Sequence, residues 1–279
     1  MRTLRIVRSL CAGLALAGTS GAAALADGVA VDVELVLAVD VSASIDADQA
    51  RLQREGYVAA LTDPDLIDRI RSGPLGRIAI AYVEWSDVQA TIVDWTVIES
   101  KADAENFSAR LLAAPVSSGS ATSLSGAVDY SLTLLDENRY EGTRRVIDVS
   151  SDGRNSAGSP LIFTRQRALD SGVVINGLPI VQRDGNGRPV DPGLQAYYAN
   201  HVIGGPGSFL VVAEGLDAFP EAVRNKMFIE IADACRDPWT CPAGGVAVFA
   251  ARCNTQYDKK KRPVARTGLP LIVLCDQVI

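Results

Sequence analysis

Five oxygen-bearing side chains stand out by type and position. Asp40-Val41-Ser42-Ala43-Ser44 sets a carboxylate and two hydroxyls on alternate residues, directly after an apolar run. Thr122 closes a small-residue loop, Ser117-Ser118-Gly119-Ser120-Ala121, and precedes a helical stretch opening at Ser123. Asp152-Gly153 follows another apolar run, Arg145 to Ser150. Alternation along an extended chain turns residues 40, 42 and 44 to one side. Each segment alone is an ordinary turn or helix cap, because Asp, Ser and Thr satisfy nearby backbone amides. Together, two carboxylates and three hydroxyls without sulfur or imidazole make a hard-oxygen donor set. Such a set suits a divalent cation of the Mg2+ type, with Mn2+ or Ca2+ as alternatives. An ion held largely by neutral hydroxyls keeps positive character and takes an external carboxylate in place of a water.

For the five to meet, the elements before them must run side by side. Val33 to Val39 is a near-continuous apolar run, the pattern of a strand buried on both faces of a parallel sheet. Helical spacing follows over Asp48 to Leu61, with Asp63-Pro64 read as its stop. Arg77 to Trp85 and Ala90 to Val97 read as strands joined by a short antiparallel turn at Ser86-Asp87. Helices are expected over Ala102 to Ala113, Leu124 to Leu135, Pro160 to Asp170 and Phe219 to Ala234, and strands over Arg145 to Ser150, Val173 to Ile180 and Phe209 to Val212. Strands alternating with helices imply an α/β fold with a mainly parallel sheet, whose site lies at the carboxyl ends of the strands.

The Asp40-Val41-Ser42-Ala43-Ser44 segment resembles the DxSxS motif of the von Willebrand factor type A domain family, with the expected hydrophobic strand before it. Thr122 in Gly119 to Ala127 is placed like that family's second-loop threonine, and Asp152 in Val146 to Gly153 like its third-loop aspartate. The resemblance spans Val31 to Ala234. It implies a doubly wound, mainly parallel six-stranded sheet with one antiparallel edge strand and helices on both faces. It also implies a metal-ion-dependent adhesion site at Asp40, Ser42, Ser44, Thr122 and Asp152, where the ion binds an Asp or Glu of a partner protein and performs no catalysis. The chain is further similar to a secreted bacterial branch of the family that has no assigned partner. Two departures are the polar insert over 182–206 and the tail after Cys235.

Composition agrees with an all-oxygen site and excludes several other chemistries. The chain has 279 residues, 27 Lys+Arg, 33 Asp+Glu and one histidine, His201. A single imidazole rules out paired-histidine zinc sites. The net charge of −6 argues against nucleic acid as a partner, since phosphate neutralisation needs a basic face. Residues 1–26 carry Arg2, Arg5 and Arg8 before a short apolar stretch and end in Ala24-Leu25-Ala26, the pattern of a secretory signal peptide. Loss of its three arginines takes the charge from −6 to −9. No later stretch reaches the about 18 uninterrupted apolar residues of a spanning helix. The expectation is an exported, secreted or periplasmic protein with a von Willebrand-like domain over 27–235 and a cysteine-containing extension over 236–279. Cys235, Cys241, Cys253 and Cys275 permit disulfides in three connectivities, and free thiols remain open. Lys259-Lys260-Lys261-Arg262 is a local basic run.

Competing chemistries fit less well. An aspartyl-phosphate enzyme usually has a second Asp two residues after the first, where this chain has Ser42, and no lysine is evident on the strand-end face to stabilise a phosphoryl group. A G-x-S-x-G elbow is absent. Gly204-Gly205-Pro206-Gly207 precedes a strand, whereas a phosphate loop follows one. Arg183 to Pro189 reads as a hairpin turn rather than a calcium loop, because it lacks the third acidic position and the closing Glu. His201, beside Tyr197 and Tyr198, reads as a packed or surface imidazole. The expected function is thus a non-enzymatic module that captures an acidic protein ligand through a divalent cation. An exported hydrolase or phosphatase using the same cation as a Lewis acid is the alternative.

Overall fold

The computed structural model describes residues 28–232 and the strand at 247–251. The segment 1–26, all five cysteines and Lys259 to Arg262 lie outside the described residues, so the expectations attached to them have no structural counterpart here.

One sheet of seven strands, in the order β3-β2-β1-β4-β5-β6-β7, forms the spine. Its strands are β1 (Val29–Asp40), β2 (Ile78–Trp85), β3 (Gln89–Ile98), β4 (Tyr140–Ser151), β5 (Val174–Pro179), β6 (Phe209–Ala213) and β7 (Ala247–Ala251). β1 pairs in parallel with β2 on one side and β4 on the other, and only β3 is antiparallel, at the edge beside β2. The six expected strands, with one antiparallel edge strand, are therefore present. The seventh, β7, pairs in parallel with β6 and comes from the segment read as an extension.

Alternation along β1 builds both halves of the core. Val33, Leu35, Leu37 and Val39 face one side, where they meet α1 (Ala47–Leu61), α2 (Pro64–Arg71), α3 (Lys101–Ala113) and α7 (Phe219–Ala232). Val36 and Ala38 face the other, against α4 (Leu124–Glu137), α5 (Leu161–Asp170) and the short α6 (Leu194–Tyr197) with the π-helical turn that continues it. Burial on both faces explains why β1 and β2 read as continuous apolar runs. On the first side Tyr57 of α1 meets Tyr82 and Phe219 edge-on, with ring centroids 5.5 and 5.8 Å apart.

Two local readings gain elements. α1 ends at Leu61 with Thr62 as its cap, just before Asp63-Pro64 as expected, and the same pair begins a further helix: the Asp63 carboxylate accepts the Asp65 amide and Pro64 takes the first helical position, where its missing N–H costs nothing. α2 is therefore an added helix. The insert at 182–206 is a hairpin followed by α6 and the π-helical turn. The Asp184 amide donates to Arg188 O at 2.8 Å, and Gly187 takes a positive φ of 75° at the bend, as a hairpin turn requires.

Candidate metal site

β1 is where the sheet changes direction of growth: the chain first adds strands on its β2 side and later on its β4 side. In open α/β sheets such a switch leaves a crevice at the carboxyl ends of the strands. Asp40 ends β1 and Asp152 follows β4, so both carboxylates stand at that crevice.

All five predicted residues come together there. The Asp40 side chain is fully buried, and its Oδ1 accepts the Ser42 amide at 2.7 Å. Residues 41–45 form a turn rather than more strand, closed by the Ile45 amide donating to Ser42 O at 2.8 Å. Strict alternation therefore stops at Asp40. The turn leaves Ser42 buried and Ser44 exposed, with Ser44 Oγ donating to Asp152 Oδ1 at 2.8 Å. Thr122 Oγ1 donates to Ser42 Oγ at 3.2 Å.

The loop that delivers Thr122 is held from several directions. The Gly119 amide donates to Val41 O at 3.0 Å, and a Cβ at Gly119 would stand 1.8 Å from Ser86 Oγ, so only glycine lets the loop lie this close to the β2–β3 turn. Asp87 in that turn accepts from the Ser120 amide and hydroxyl at 2.8 and 2.9 Å, which holds its carboxyl well below the usual range. Ser156, just after the third loop, donates its amide to Thr122 O at 2.8 Å, lacing the second and third loops together.

Beneath the loop lies a buried ion pair, Arg54 Nε to Glu84 Oε1 at 2.6 Å. The rest of the Arg54 guanidinium donates to the carbonyls of Leu111, Ala114 and Pro115, and Glu84 Oε2 accepts the Ser117 amide at 3.1 Å. Both terminal nitrogens of Arg54 and the second oxygen of Glu84 thereby hold the chain leading to Thr122.

Three supporting residues went unread in the sequence. Ser151, the last residue of β4, donates to Asp40 Oδ2 at 2.5 Å. Gln182, the first residue of the insert, donates to Asp152 Oδ2 at 2.6 Å. Tyr198, in the π-helical turn, is fully buried with no hydrogen-bond partner for its hydroxyl, and burial and the nearby Asp40 carboxylate push that hydroxyl up. None has a local sequence signal; each reaches the site through tertiary placement. Gly177 makes room for Tyr198, since a Cβ there would lie 2.6 Å from its ring. His201 is exposed, its ring 5.4 Å from Tyr197, and plays no part in the site.

The electrostatics are unbalanced. Burial raises Asp40 from 3.8 to about 6, against the hydrogen bonds from Ser151 and Ser42 that lower it, and the Asp152 charge adds to the rise. Asp152 is raised as well, again chiefly by burial. Among the described residues no lysine or arginine pairs with either carboxylate. Two converging carboxylates beside three hydroxyls and an orphan tyrosine hydroxyl form a hard-oxygen cradle short of positive charge, so the residues fit a hard divalent cation. Among the described residues no group of three or more His, Cys, Asp or Glu side chains forms an alternative metal cluster. No helix there is long and apolar enough to cross a membrane.

Comparison with known proteins adds a family and a fold. A family described as "Protein of unknown function (DUF1194)" matches residues 30–235. Among curated proteins none matches the sequence. Among solved structures, proximal thread matrix protein 1 from the mussel byssus aligns at 16% identity with a TM-score of 0.50, over 73% of this chain and 46% of that one. The pilus adhesin SpaC from Lactobacillus rhamnosus GG aligns at 13% identity with a TM-score of 0.54, over 72% of this chain and 31% of that one. A von Willebrand factor type A protein from Catenulispora acidiphila aligns at 13% identity with a TM-score of 0.47, over 72% of this chain and 43% of that one. This chain thus covers less than half of each of these three chains. At such identities the likeness is one of fold.

Proposed function

The chain belongs to the DUF1194 family and has a von Willebrand factor type A-like fold, and we propose that it is an exported, non-enzymatic binding module built around a divalent-cation site. Asp40, Ser42, Ser44, Thr122 and Asp152 would hold Mg2+, with Mn2+ or Ca2+ as substitutes. When bound, the ion supplies an open coordination position for an Asp or Glu of a partner protein.

The observation that carries this reading is the convergence of Asp40 and Asp152 with three hydroxyls at the switch point, without a neutralising Lys or Arg among the described residues. Asp40 is fixed through both oxygens, by the Ser42 amide and the Ser151 hydroxyl, so it stays oriented. Ser44 and Thr122 sit on loops open to solvent, where a partner group can approach. The mussel matrix protein and the pilus adhesin, as their names describe them, belong to assemblies outside cells, which suits an exported adhesive role.

Calorimetric titration with MgCl2 and MnCl2 tests the reading. The chain should bind one ion, and Asp40→Ala should abolish binding; unchanged binding in that variant would remove the site. A phosphoester panel with Mg2+ separates the module from a hydrolase using the same ion: the module leaves the panel intact, and turnover that Asp40→Ala removes would favour the enzyme.

A further inference from the structure

The 182–206 insert touches the metal face at consecutive points of one loop. Gln182 donates to Asp152 Oδ2. Two residues on, Arg154 forms a two-pronged pair with Asp191 of the insert, Nε to Oδ2 at 2.6 Å and Nη2 to Oδ1 at 2.8 Å. The same guanidinium lies 5.2 Å over the Tyr197 ring, and the Asn155 amide donates to the Tyr197 hydroxyl at 3.3 Å. A Cβ on Gly193 would stand 2.4 Å from Arg154 Nη2, so the insert backbone is shaped to that side chain.

Gln182 is itself held at the hairpin base. Its amide donates to Ile180 O at 3.1 Å, and its carbonyl accepts the Val190 amide at 2.8 Å. Its side-chain donor is therefore aimed by the insert's own pairing. With Ser44 on Oδ1 and Gln182 on Oδ2, the Asp152 carboxylate has its plane set from two sides.

We infer that the insert is a working part of the metal centre: Gln182 is a positioning residue for Asp152, and cation binding and docking of the insert reinforce each other. This rests on the cation-site reading above. The physical basis is that partners of a ligating carboxylate fix its orientation, and their loss typically weakens metal binding about 10–100-fold. Coupling between two binding events is reciprocal, so an ion that favours one orientation of Asp152 must also favour the docked insert.

The test uses the full chain, Mn2+ titration calorimetry and amide hydrogen exchange over residues 184–190. In the wild type, Mn2+ should slow exchange in that segment. Gln182→Met, which keeps length and removes the donor, should bind Mn2+ about 10–100-fold more weakly and lose that slowing, with its metal-free circular dichroism spectrum still that of the folded wild type. Asp191→Asn, which loosens the second tie without touching Asp152, should shift both readouts in the same direction by less. Wild-type affinity in Gln182→Met overturns the inference while the cation site stands, provided Asp40→Ala is silent. Exchange indifferent to bound Mn2+ overturns the coupling. If Asp40→Ala titrates like the wild type, the cation-site reading falls and this inference with it.

Discussion

Ser151 Oγ donates to Asp40 Oδ2 across 2.5 Å, joining the last residues of two neighbouring parallel strands. The bond orients the buried carboxylate but does not neutralise it. Burial outweighs the hydrogen bonds, and Asp40 is left at about 6.

Stability without metal should therefore depend on pH in an unusual direction. A carboxyl raised in the folded chain stabilises the fold fully below its unfolded value of about 4, and that contribution is lost as pH rises through about 6. In EDTA, melting followed by circular dichroism should show Asp40→Asn more stable than wild type at pH 7.5, with most of the difference gone by pH 4.5. Equal melting at both pH values would contradict the strained carboxylate.

Metal affinity should run the opposite way, because ligation needs the charged carboxylate. Mn2+ binding by the wild type should weaken as pH falls from 7.5 through 6. A flat affinity over that range would mean that Asp40 is not a ligand.

Glu84→Gln should be costly, leaving Arg54 charged and buried without its partner. Removing one member of a buried pair costs about 3–5 kcal/mol, measurable by urea unfolding. Gly119→Ala acts on the same loop by another route. Its Cβ would collide with Ser86, so the loop must shift and Thr122 with it, and metal affinity should drop more than stability does. A variant with wild-type affinity would show that this loop's position is unimportant to the site.

A second buried charge cluster lies under α7. Lys226 is 1% exposed and sits 3.0 Å from Asp148 and 3.6 Å from Glu230, giving two carboxylates to one ammonium. Asp148 stands raised to about 6, chiefly by burial, with Lys226 opposing. Lys226→Met should cost about 3–5 kcal/mol at pH 7.5 and recover part of that at pH 5, where Asp148 can take up a proton. Urea midpoints at the two pH values check this, and equal losses at both would contradict it.

The main elements were legible because their patterns are local. A run such as Val33 to Val39 announces a strand buried on both faces, and Asp-x-Ser-x-Ser at its end is visible without a fold. Asp63-Pro64 was legible as the stop of α1 but not as the start of α2, because only the capping bond to Asp65 shows the second role. β7 is five residues, too short to stand out from a tail. Gln182 and Ser151 escaped for a deeper reason. A glutamine opening a polar stretch and a serine before Asp-Gly look like surface; the Ser151 contact depends on β1 and β4 lying side by side, and the Gln182 contact on β5 lying beside β4. Glu84 did carry a signal, as a charge inside the apolar run Ile78 to Trp85, and its partner Arg54 could not be found from spacing alone.

The pairing of β1 with β4 also governs when the cradle can exist. Ser44 and Asp152 are 108 positions apart, and Asp40 and Ser151 are 111 apart. No short stretch of chain assembles the donor set, so a nascent or partly folded chain holds only scattered oxygens. A cation held by the proposed site would then be acquired only after this long-range closure, in whatever compartment folding finishes. If bound as proposed, it would stabilise the finished domain by mass action and would not start its folding.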